Sequence, residues 1–521
     1  MKKFSLAALS LTAFLSSCNL FAAPELPLLT TLDFGAFDAQ RDALKAQGLR
    51  DGKSKKFSLD AEPEYIAVSA DSRAAWVTLQ ESNAVARLDL TTGKITDIKP
   101  LGFKDHSKEG AGLDASDKDG GANIKTWPVR GAYMPDAIAS IQVAGQTYLL
   151  TANEGDTREY TGFTDEVKVS ALKLDPAKFP NAAELQLDKN LGRLVVSQPD
   201  ADTDGDGDAD QLVSFGARSM SVWTADGTLV ADTGDLFEQT TKGLSSFNSN
   251  GTKETFDTRS DNKGPEPEGV TTGTVGGKTF AFVGLERTGG VMVMDVTDPR
   301  KPTLVEYRND IKAAETAKSG NAGDLAPEGL LFIPAADSPN GKALLVTANE
   351  VSGSTTLYTV ADDGKLSALG RHQVTPYTYD KGAAEIPAYD RASKRLFVVN
   401  GAAGGLTVLD VQDPAAPREL APILLAAYGK AVNSVAVKSG VLAVAVEAAT
   451  KTDPGKVALL DKDGKELAKP VTVGALPDML TFSPDGKLLL VAGEGEPNTD
   501  YSVDPEGTVS IINVAKALAN K

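Results

Sequence analysis

Acidic side chains recur at the ends of short apolar runs in this sequence. Glu154, Glu286, Glu350 and Glu494 each close such a run, as in YLLTANE at 148–154. Carboxylates that gather in one place repel one another and need counter-cations, and Ca²⁺ is the hard cation best suited to oxygen ligands alone. The pattern predicts a metal centre, with more than one Ca²⁺ ion, where these run ends converge; acids that face water at each position are the alternative.

Arginines lie in the same stretches as these glutamates. Arg158 follows Glu154 by four residues, Arg287 directly follows Glu286, and Arg259 opens the run RSDNKGPEPE at 259–268. A guanidinium fork beside a metal ion is suited to a phosphate ester, since it binds the oxygens while the cation polarises phosphorus. We therefore assign Glu154, Glu286 and the three arginines as candidate catalytic residues, with ordinary ion pairing as the alternative.

A second acidic element is the aspartate loop, DADTDGDGDAD at 200–210. Counted from its second aspartate, acids fall at positions one, three, five, seven and nine, and Gly207 falls at position six. This spacing is typical of the front half of an EF-hand-type calcium loop. Position twelve is Val213 instead of a glutamate, so we predict a structural Ca²⁺ site outside a true EF-hand. Its proposed ligands are Asp202, Asp204, Asp206, Asp208 and Asp210. A less complete motif of the same kind, LDASDKDG at 113–120, is equally consistent with a Ca²⁺ site and with a solvated loop.

Composition excludes several other chemistries. His106 and His372 are the only histidines, which excludes a Zn²⁺ site built on several histidines, and no G-x-S-x-G elbow, P-loop or Rossmann fingerprint is present. The formal net charge is −18, so the chain would repel nucleic acid. Any hydrolysis would use carboxylates and metal.

The elements that must position these acids are short strands. Residues 64–98 read as four strands joined by turns, and the same order can be followed six more times. We therefore predict an all-β, seven-bladed β-propeller of four-stranded antiparallel blades over 61–515, with insertions near 101–133 and 176–215. A strand at 28–37 would supply the outer strand that the last blade lacks and close the ring, and 516–521 would be a tail.

A propeller brings two chain positions to one rim. The residue before the first strand and the residue after the second strand of each blade lie on the same face, beside the central channel. Glu268 and Glu328 stand at the first position, and Glu154, Glu286, Glu350 and Glu494 stand at the second. We assign all six as metal ligands.

The N-terminus predicts export. Residues 1–17 combine Lys2 and Lys3 with an apolar run, as in a signal peptide. The following Cys18 is the only cysteine and resembles a lipoprotein acylation site. We predict a monomer on an outer-membrane lipid anchor, with 18–60 as anchor, linker and ring-closing strand, and no other membrane contact. Cleavage after Ala22 or Ala23, with release to the periplasm or cell surface, is the alternative.

Several motifs resemble one known family. GLDASDKDGG at 112–121, TANEGDTREY at 151–160 and RSDNKGPEPEGV at 259–270 are similar to bacterial choice-of-anchor I proteins and to sea-urchin mesenchyme-specific cell-surface glycoproteins. The resemblance implies a surface-anchored, calcium-associated propeller. Members are often labelled alkaline phosphatases.

Three functions follow from these patterns. The first is a Ca²⁺-dependent phosphohydrolase acting on a phosphate-ester small molecule outside the cytoplasm. The second is a non-enzymatic calcium-binding propeller for adhesion or mineral contact, with a cation-bearing surface as partner. The third is a Ca²⁺-dependent lactonase or esterase, in which Asn153, Asn349, Asn400 and Asn433 join the glutamates.

Overall fold

The structure is a computed structural model that describes residues 25–54 and 56–521. The predicted signal peptide and the predicted lipidation site at Cys18 lie outside the described residues. The described chain is dominated by antiparallel β-sheets, so the all-β prediction is confirmed.

Seven antiparallel sheets of four or five strands follow one another in the described chain. Sheets 1 to 3 comprise Pro63–Val68, Ala74–Leu79, Ala84–Asp89 and Lys94–Pro100; Ile138–Val143, Gln146–Asn153, Ser219–Thr224 and Leu229–Asp232; and Pro267–Val275, Lys278–Leu285, Val291–Asp295 and Thr303–Arg308. Sheets 4 and 5 comprise Pro327–Ile333, Leu344–Asn349, Ser354–Val360 and Leu366–Gln373; and Pro387–Asp390, Arg395–Asn400, Gly405–Asp410, Arg418–Glu419 and Ile423–Leu424. Sheets 6 and 7 comprise Ala431–Lys438, Val441–Glu447, Pro454–Leu460 and Glu466–Ala475; and Leu29–Asp33, Pro477–Phe482, Leu488–Gly493 and Thr508–Asn513.

Apolar side chains on both faces of the central strands hold the sheets together. All six residues of Leu344–Asn349 are buried, which fits a strand covered by a neighbouring sheet on each side. Leu150 of sheet 2 and Val283 of sheet 3 share one hydrophobic cluster, and Val399 of sheet 5 and Val444 of sheet 6 share another. The core therefore lies in layers between successive sheets.

The first strands of neighbouring sheets are in contact. In sheets 1 to 6 the first strand of each sheet touches that of the next, and Pro477–Phe482 of sheet 7 touches the first strands of sheets 6 and 1. Leu29–Asp33 pairs antiparallel with Thr508–Asn513, the last strand of the chain. These strands therefore lie side by side, and the site is found among them.

Two segments outside the seven sheets carry smaller elements. Three small sheets comprise Phe103–Asp105, Arg130–Ala132 and Val213–Ser214; Glu159–Tyr160 and Phe163–Thr164; and Glu166–Lys168 and Val195–Ser197. The chain between the second and third strands of sheet 2 packs with 113–129 around its own apolar cluster, which includes Leu113, Phe179 and Leu191. Sheet 2 is therefore built from two segments that a long excursion separates.

Helices are short in the described chain. The α-helices are Arg41–Lys45, Ala182–Leu185, Leu236–Thr241 and Val514–Ala519, and the 3₁₀ helices are Gly35–Gln40, Phe57–Leu59, Val169–Ala171, Lys253–Thr255, Ala317–Ser319 and Gly401–Ala403. None of the described helices has the length and apolar character needed to cross a membrane.

Candidate functional site: an acidic central cavity

A repeated turn places an acid at the start of five sheets. A non-glycine residue with positive φ precedes a proline, and an acid follows that proline. Residues other than glycine rarely adopt a positive φ, and residues that do so concentrate at functional sites. The five triplets are Glu62-Pro63-Glu64, Met134-Pro135-Asp136, Glu266-Pro267-Glu268, Ala326-Pro327-Glu328 and Leu476-Pro477-Asp478.

The same turn also holds the acid at the end of the second strand. The carbonyl of Glu266 accepts the backbone N–H of Glu286 at 2.8 Å, and the carbonyl of Leu476 accepts that of Glu494 at 3.0 Å. Ala326 and Glu350 form the equivalent bond at 2.8 Å. In these three sheets, one hydrogen bond therefore brings the two predicted rim positions side by side.

Glycine after the acid allows neighbouring sheets to approach. A Cβ at Gly269 would lie 2.2 Å from the carbonyl oxygen of Glu328 in the next sheet, and a Cβ at Gly329 would lie 2.2 Å from that of Glu385. Any larger residue would push the first strands apart. The Pro-Glu-Gly sequence thus combines a turn, a carboxylate and a close contact between sheets.

These acids line one cavity, which we call the acidic cavity, with a volume of about 320 Å³. Its walls carry nine carboxylates but only two cationic side chains, Lys263 and Arg287. The carboxylates are Glu64, Asp136, Glu154, Asp156, Glu268, Glu286, Glu328, Asp478 and Glu494. The structure therefore brings together five of the six rim glutamates assigned from the sequence, with Arg287 beside them.

Some of these carboxylates lack partners. Glu268 Oε2 and Glu328 Oε2 are buried without a hydrogen bond in the described structure, and burying an unpaired charged group is costly. One oxygen from each of Asp136, Glu154 and Glu268 falls within 4.8 Å of the others, as in a metal coordination sphere. The donor set is all oxygen, so it fits Ca²⁺.

Burial and the crowding of the carboxylates raise the pKa of several acids in the cavity. Burial, followed by the charge of Glu266, raises the pKa of Glu286 to about 8, although Arg287 opposes the shift. Burial and neighbouring carboxylates, Glu286 first among them, raise the pKa of Glu268 well above its usual range. Burial and the charge of Glu496 raise the pKa of Asp478 to about 7. Without a cation, the cavity would hold protons near neutral pH.

Glu266 is the exception, and sequence reasoning did not assign it to the site. Burial disfavours its charge, yet Lys263, Arg259 and Arg287 lower its pKa to about 2. Its carboxylate lies 3.1 Å from Lys263 Nζ and 3.4 Å from Arg287 Nε, and Arg259 pairs with it as well. An always-ionised Glu266 therefore fixes the two cations of the acidic cavity.

The cations also contact the predicted metal ligands. Lys263 Nζ lies 2.8 Å from Glu154 Oε1, and Arg287 Nη2 lies 2.9 Å from Glu286 Oε1. Gln80, a further residue that the sequence did not single out, donates to Glu154 Oε2 at 2.9 Å. Lys263 and Arg287 thus pair with some of the wall carboxylates, and the other charged residues of the wall are all acidic.

Three predicted site residues lie apart from the cavity wall. Glu350 is half-buried behind Glu328 and does not line the cavity. Arg259 is held by Glu266. Arg158 is 2% exposed and pairs with Glu62 at 2.7 Å, and it donates to the Asp60 carbonyl at 2.8 Å. The prediction that Arg158 and Arg259 grip a phosphate therefore gains nothing from their positions, and Lys263 stands where a second cation was expected.

Replacing Arg158 by glutamine is expected to lower the free energy of unfolding by about 3 kcal/mol, because it leaves the buried carboxylate of Glu62 unpaired. Urea denaturation would measure the loss. Arg391→Gln is the control, since this arginine is 75% exposed in its pair with Asp337 and should change stability by less than about 0.5 kcal/mol. Equal urea midpoints for the two variants would contradict a structural role for Arg158.

The aspartate loop lies elsewhere and divides into two groups. Asp202, Asp204 and Asp206 are exposed, with one oxygen of each within 4.8 Å of the others, and Asp202 accepts the N–H groups of Gly205 and Gly207 at 2.7 and 3.0 Å. Asp208 and Asp210 cluster instead with Asp175. The five predicted ligands therefore do not converge on one point.

The predicted asparagine set is also divided. Asn433 lines the acidic cavity. Asn153 is fully buried and donates to Ser219 and Ser221, and Asn349 is buried against Ser354. The structure thus places one of the asparagines expected of a lactonase on the cavity wall.

Fold and cavity define a class of protein: sequential four-stranded antiparallel sheets around a cavity rich in carboxylates and poor in cations. Within that class, the chain belongs to the choice-of-anchor I domain family, whose profile matches residues 21–299 and 385–520. The predicted family resemblance is confirmed. Choice-of-anchor domains point to a cell-surface or extracytoplasmic location.

Two curated proteins are similar over part of their length. Gigasin-3a of Magallana gigas is 30% identical over 191 residues, which cover 34% of this chain and 66% of that protein. The mesenchyme-specific cell surface glycoprotein of Strongylocentrotus purpuratus is 27% identical over 306 residues, 51% of this chain and 38% of that protein. The matches thus span just under two thirds of the first relative and less than half of the second.

Two solved structures match the chain at low similarity. The β-propeller domain of Cps50 matches 86% of this chain and 96% of its own at a TM-score of 0.41 and 9% identity. A Bacteroides uniformis protein proposed to be a 6-phosphogluconolactonase matches 82% of this chain and 88% of its own at a TM-score of 0.42 and 15% identity.

Proposed function

We propose that this protein is an extracytoplasmic, Ca²⁺-dependent phosphohydrolase whose site is the acidic cavity. Nine carboxylates face two cations in that cavity, and two of the carboxylate oxygens are buried without a partner. This imbalance is the observation that carries the proposal, because crowded buried carboxylates require bound cations.

A propeller framework supports the proposal. We infer that the seven sheets are seven blades of a ring in which Leu29–Asp33 completes the last blade, since the first strands of sheets 1 to 6 are in contact in order and Pro477–Phe482 of sheet 7 touches those of sheets 6 and 1. Glu154, Glu268, Glu286, Glu328 and Glu494 would then encircle the mouth of one channel. We assign 61–515 to this domain and keep the lipid anchor at Cys18, on the outer membrane, as part of the proposal.

The residues divide the work of hydrolysis as follows. Glu154, Glu268 and Asp136 would hold Ca²⁺, which when bound would polarise the phosphoryl group. Lys263 and Arg287 would contact the phosphoryl oxygens, oriented by Glu266. Glu286 would accept a proton from the attacking water, since its carboxylate lines the cavity beside Arg287 and clusters with Glu154.

A substrate panel tests the proposal. The purified protein would be assayed against a phosphomonoester, a phosphodiester and a lactone, in Ca²⁺ and in a chelator. We expect phosphate-ester hydrolysis that requires Ca²⁺. Turnover of the lactone alone would replace the proposal with a lactonase. Binding of Ca²⁺ without any turnover would replace it with a calcium-binding surface protein.

The aspartate loop is proposed as a separate structural Ca²⁺ site. Exposed Asp202, Asp204 and Asp206 support it, since their oxygens lie close enough to share one ion. Replacing Asp204 and Asp206 by asparagine is expected to remove one bound Ca²⁺ per chain, as measured by equilibrium dialysis, and to leave hydrolysis unchanged. Asp226→Asn, in another exposed turn, is the control. An unchanged Ca²⁺ count in the double variant would show that the loop binds no ion.

A further inference from the structure

Away from the acidic cavity, a buried group of aspartates joins two distant chain segments. Asp114 and Asp119 belong to the loop 112–123, and Asp257 belongs to the segment 247–263, more than a hundred residues later. One carboxylate oxygen of each lies within 4.8 Å of the others. We call these three residues the aspartate triad. Asp114 and Asp119 belong to the LDASDKDG motif, and Asp257 lies at a position that no sequence motif marks.

The burial of the aspartate triad is unusual for three like charges. Asp114 is 0% exposed and Asp257 is 4% exposed, and Asp119 is half-buried. No lysine or arginine within residues 25–54 and 56–521 pairs with any of the three carboxylates. The two nearby arginines are already engaged, since Arg218 pairs with Glu238 and Arg193 pairs with Asp117 and Asp261. Buried carboxylates without a cation are strongly disfavoured.

Two unpartnered oxygens accompany the triad. Asp119 Oδ1 is inaccessible to solvent and has no hydrogen-bond partner in the described structure. Asn248 is fully buried, and its side-chain Oδ1 also lacks a partner. The Asn248 amide nitrogen donates at 2.9 Å to Ser260 Oγ, and that hydroxyl donates at 2.7 Å to Asp257 Oδ1. Buried acceptors of this kind call for a further partner, and a bound cation is one that would serve all of these oxygens.

The spacing of the oxygens suits one metal. Ca²⁺ binds oxygen at 2.3–2.6 Å, so oxygens on opposite sides of one ion lie about 5 Å apart. The triad meets this limit. Backbone bonds fix both segments independently: Asp114 Oδ2 accepts the N–H of Asn123 at 2.7 Å, and the N–H of Asp257 donates to the Phe247 carbonyl at 2.9 Å. The carboxylates of Asp114 and Asp257 are thus held in place before any ion binds.

We propose that Asp114, Asp119 and Asp257 bind a Ca²⁺ ion that fastens the loop 112–123 to the segment 247–263. This segment ends at Lys263, a wall residue of the acidic cavity. Arg218 strengthens the same junction by donating to the carbonyls of Asp114 and Ser260 at 2.7 and 2.9 Å. The site is structural and separate from the one proposed for hydrolysis.

Calcium stoichiometry tests the proposal. Equilibrium dialysis with Ca²⁺ alone would compare the full chain with Asp119→Asn, where the half-exposed residue should tolerate the change. We expect one ion fewer per chain, and a smaller rise in melting temperature on adding Ca²⁺. Asp117→Asn is the matched control, because Asp117 lies in the same loop but pairs with Arg193, and it should keep every ion.

A second background separates this site from the acidic cavity. The double variant Glu268→Gln/Glu328→Gln should lose the ions of the acidic cavity and keep the ion of the aspartate triad. Adding Asp119→Asn to this double variant should then remove the triad ion. If Asp119→Asn and Asp257→Asn, both folded by circular dichroism, bind as much Ca²⁺ as the wild type, the triad binds no calcium. If the double glutamine variant binds as many Ca²⁺ ions as the wild type but Asp119→Asn binds one fewer, the triad site is supported and the proposed metal of the acidic cavity is contradicted.

Discussion

Glu286→Gln is expected to lower kcat/KM for Ca²⁺-dependent phosphate-ester hydrolysis about 10³-fold. Glu286 lines the acidic cavity, and its carboxylate both contacts Arg287 and belongs to a cluster with Glu154 and Glu266. The amide keeps the shape of the side chain but can neither accept a proton as a base nor bind Ca²⁺ with a full charge. Steady-state kinetics at saturating Ca²⁺ would measure the loss.

Glu447→Gln is the matched control for this variant. Glu447 is the last residue of the second strand of sheet 6, and Glu286 is the residue directly after the second strand of sheet 3. Glu447 is also buried. It lies 3.5 Å from Lys430 and does not line the acidic cavity. Its replacement should change kcat/KM less than about twofold. Equal losses in both variants would place the activity outside the cavity, and full activity in Glu286→Gln would exclude this residue as the base.

Calcium is expected to raise the melting temperature more at pH 8.5 than at pH 5.5. Burial and neighbouring acids raise the pKa of Glu286 to about 8 and that of Asp478 to about 7 in the folded state, above their values in an unfolded chain. In a chelator, the folded state therefore binds more protons, and the stability that these groups contribute is lost as the pH rises through about 7 to 8.

With Ca²⁺ the trend should reverse. Ionised carboxylates bind the cation and protonated ones do not, so the gap between Ca²⁺ and chelator should widen with pH. Each ion adds about 4 kcal/mol at a concentration a thousandfold above its Kd. Differential scanning fluorimetry would follow the change, with KCl at matched ionic strength as the control for screening. A gap that stays constant from pH 5.5 to 8.5 would contradict cation binding by the cavity carboxylates.

Much of the fold was accessible from sequence. The alternation of short apolar runs and turns predicted four-stranded antiparallel sheets, and the structure confirms them. Convergence of Glu268 and Glu286 followed from strand order alone, because adjacent antiparallel strands bring the start of one beside the end of the other.

The turn before each proline and the ion-pair partners of the arginines could not be predicted, because they depend on backbone dihedral angles and on long-range contacts. The left-handed residue before each proline has no fixed side chain, since glutamate, methionine, alanine and leucine all occupy it, so the motif is visible only in dihedral angles. Arg158 lies near Glu154 in sequence, yet the fold turns it toward Glu62. Which of several cations meets an acid in a large acidic protein depends on tertiary packing, which local patterns do not encode.

The pairing of Leu29–Asp33 with Thr508–Asn513 has a consequence for the order of folding. Almost the whole chain separates the two strands, so the early strand must wait for the last part of the polypeptide to emerge. Until then Leu29–Asp33 has no strand to pair with, and until the two strands pair, the outer edge of Thr508–Asn513 stays open to other chains. Completion of this sheet is therefore a late and slow step of high contact order.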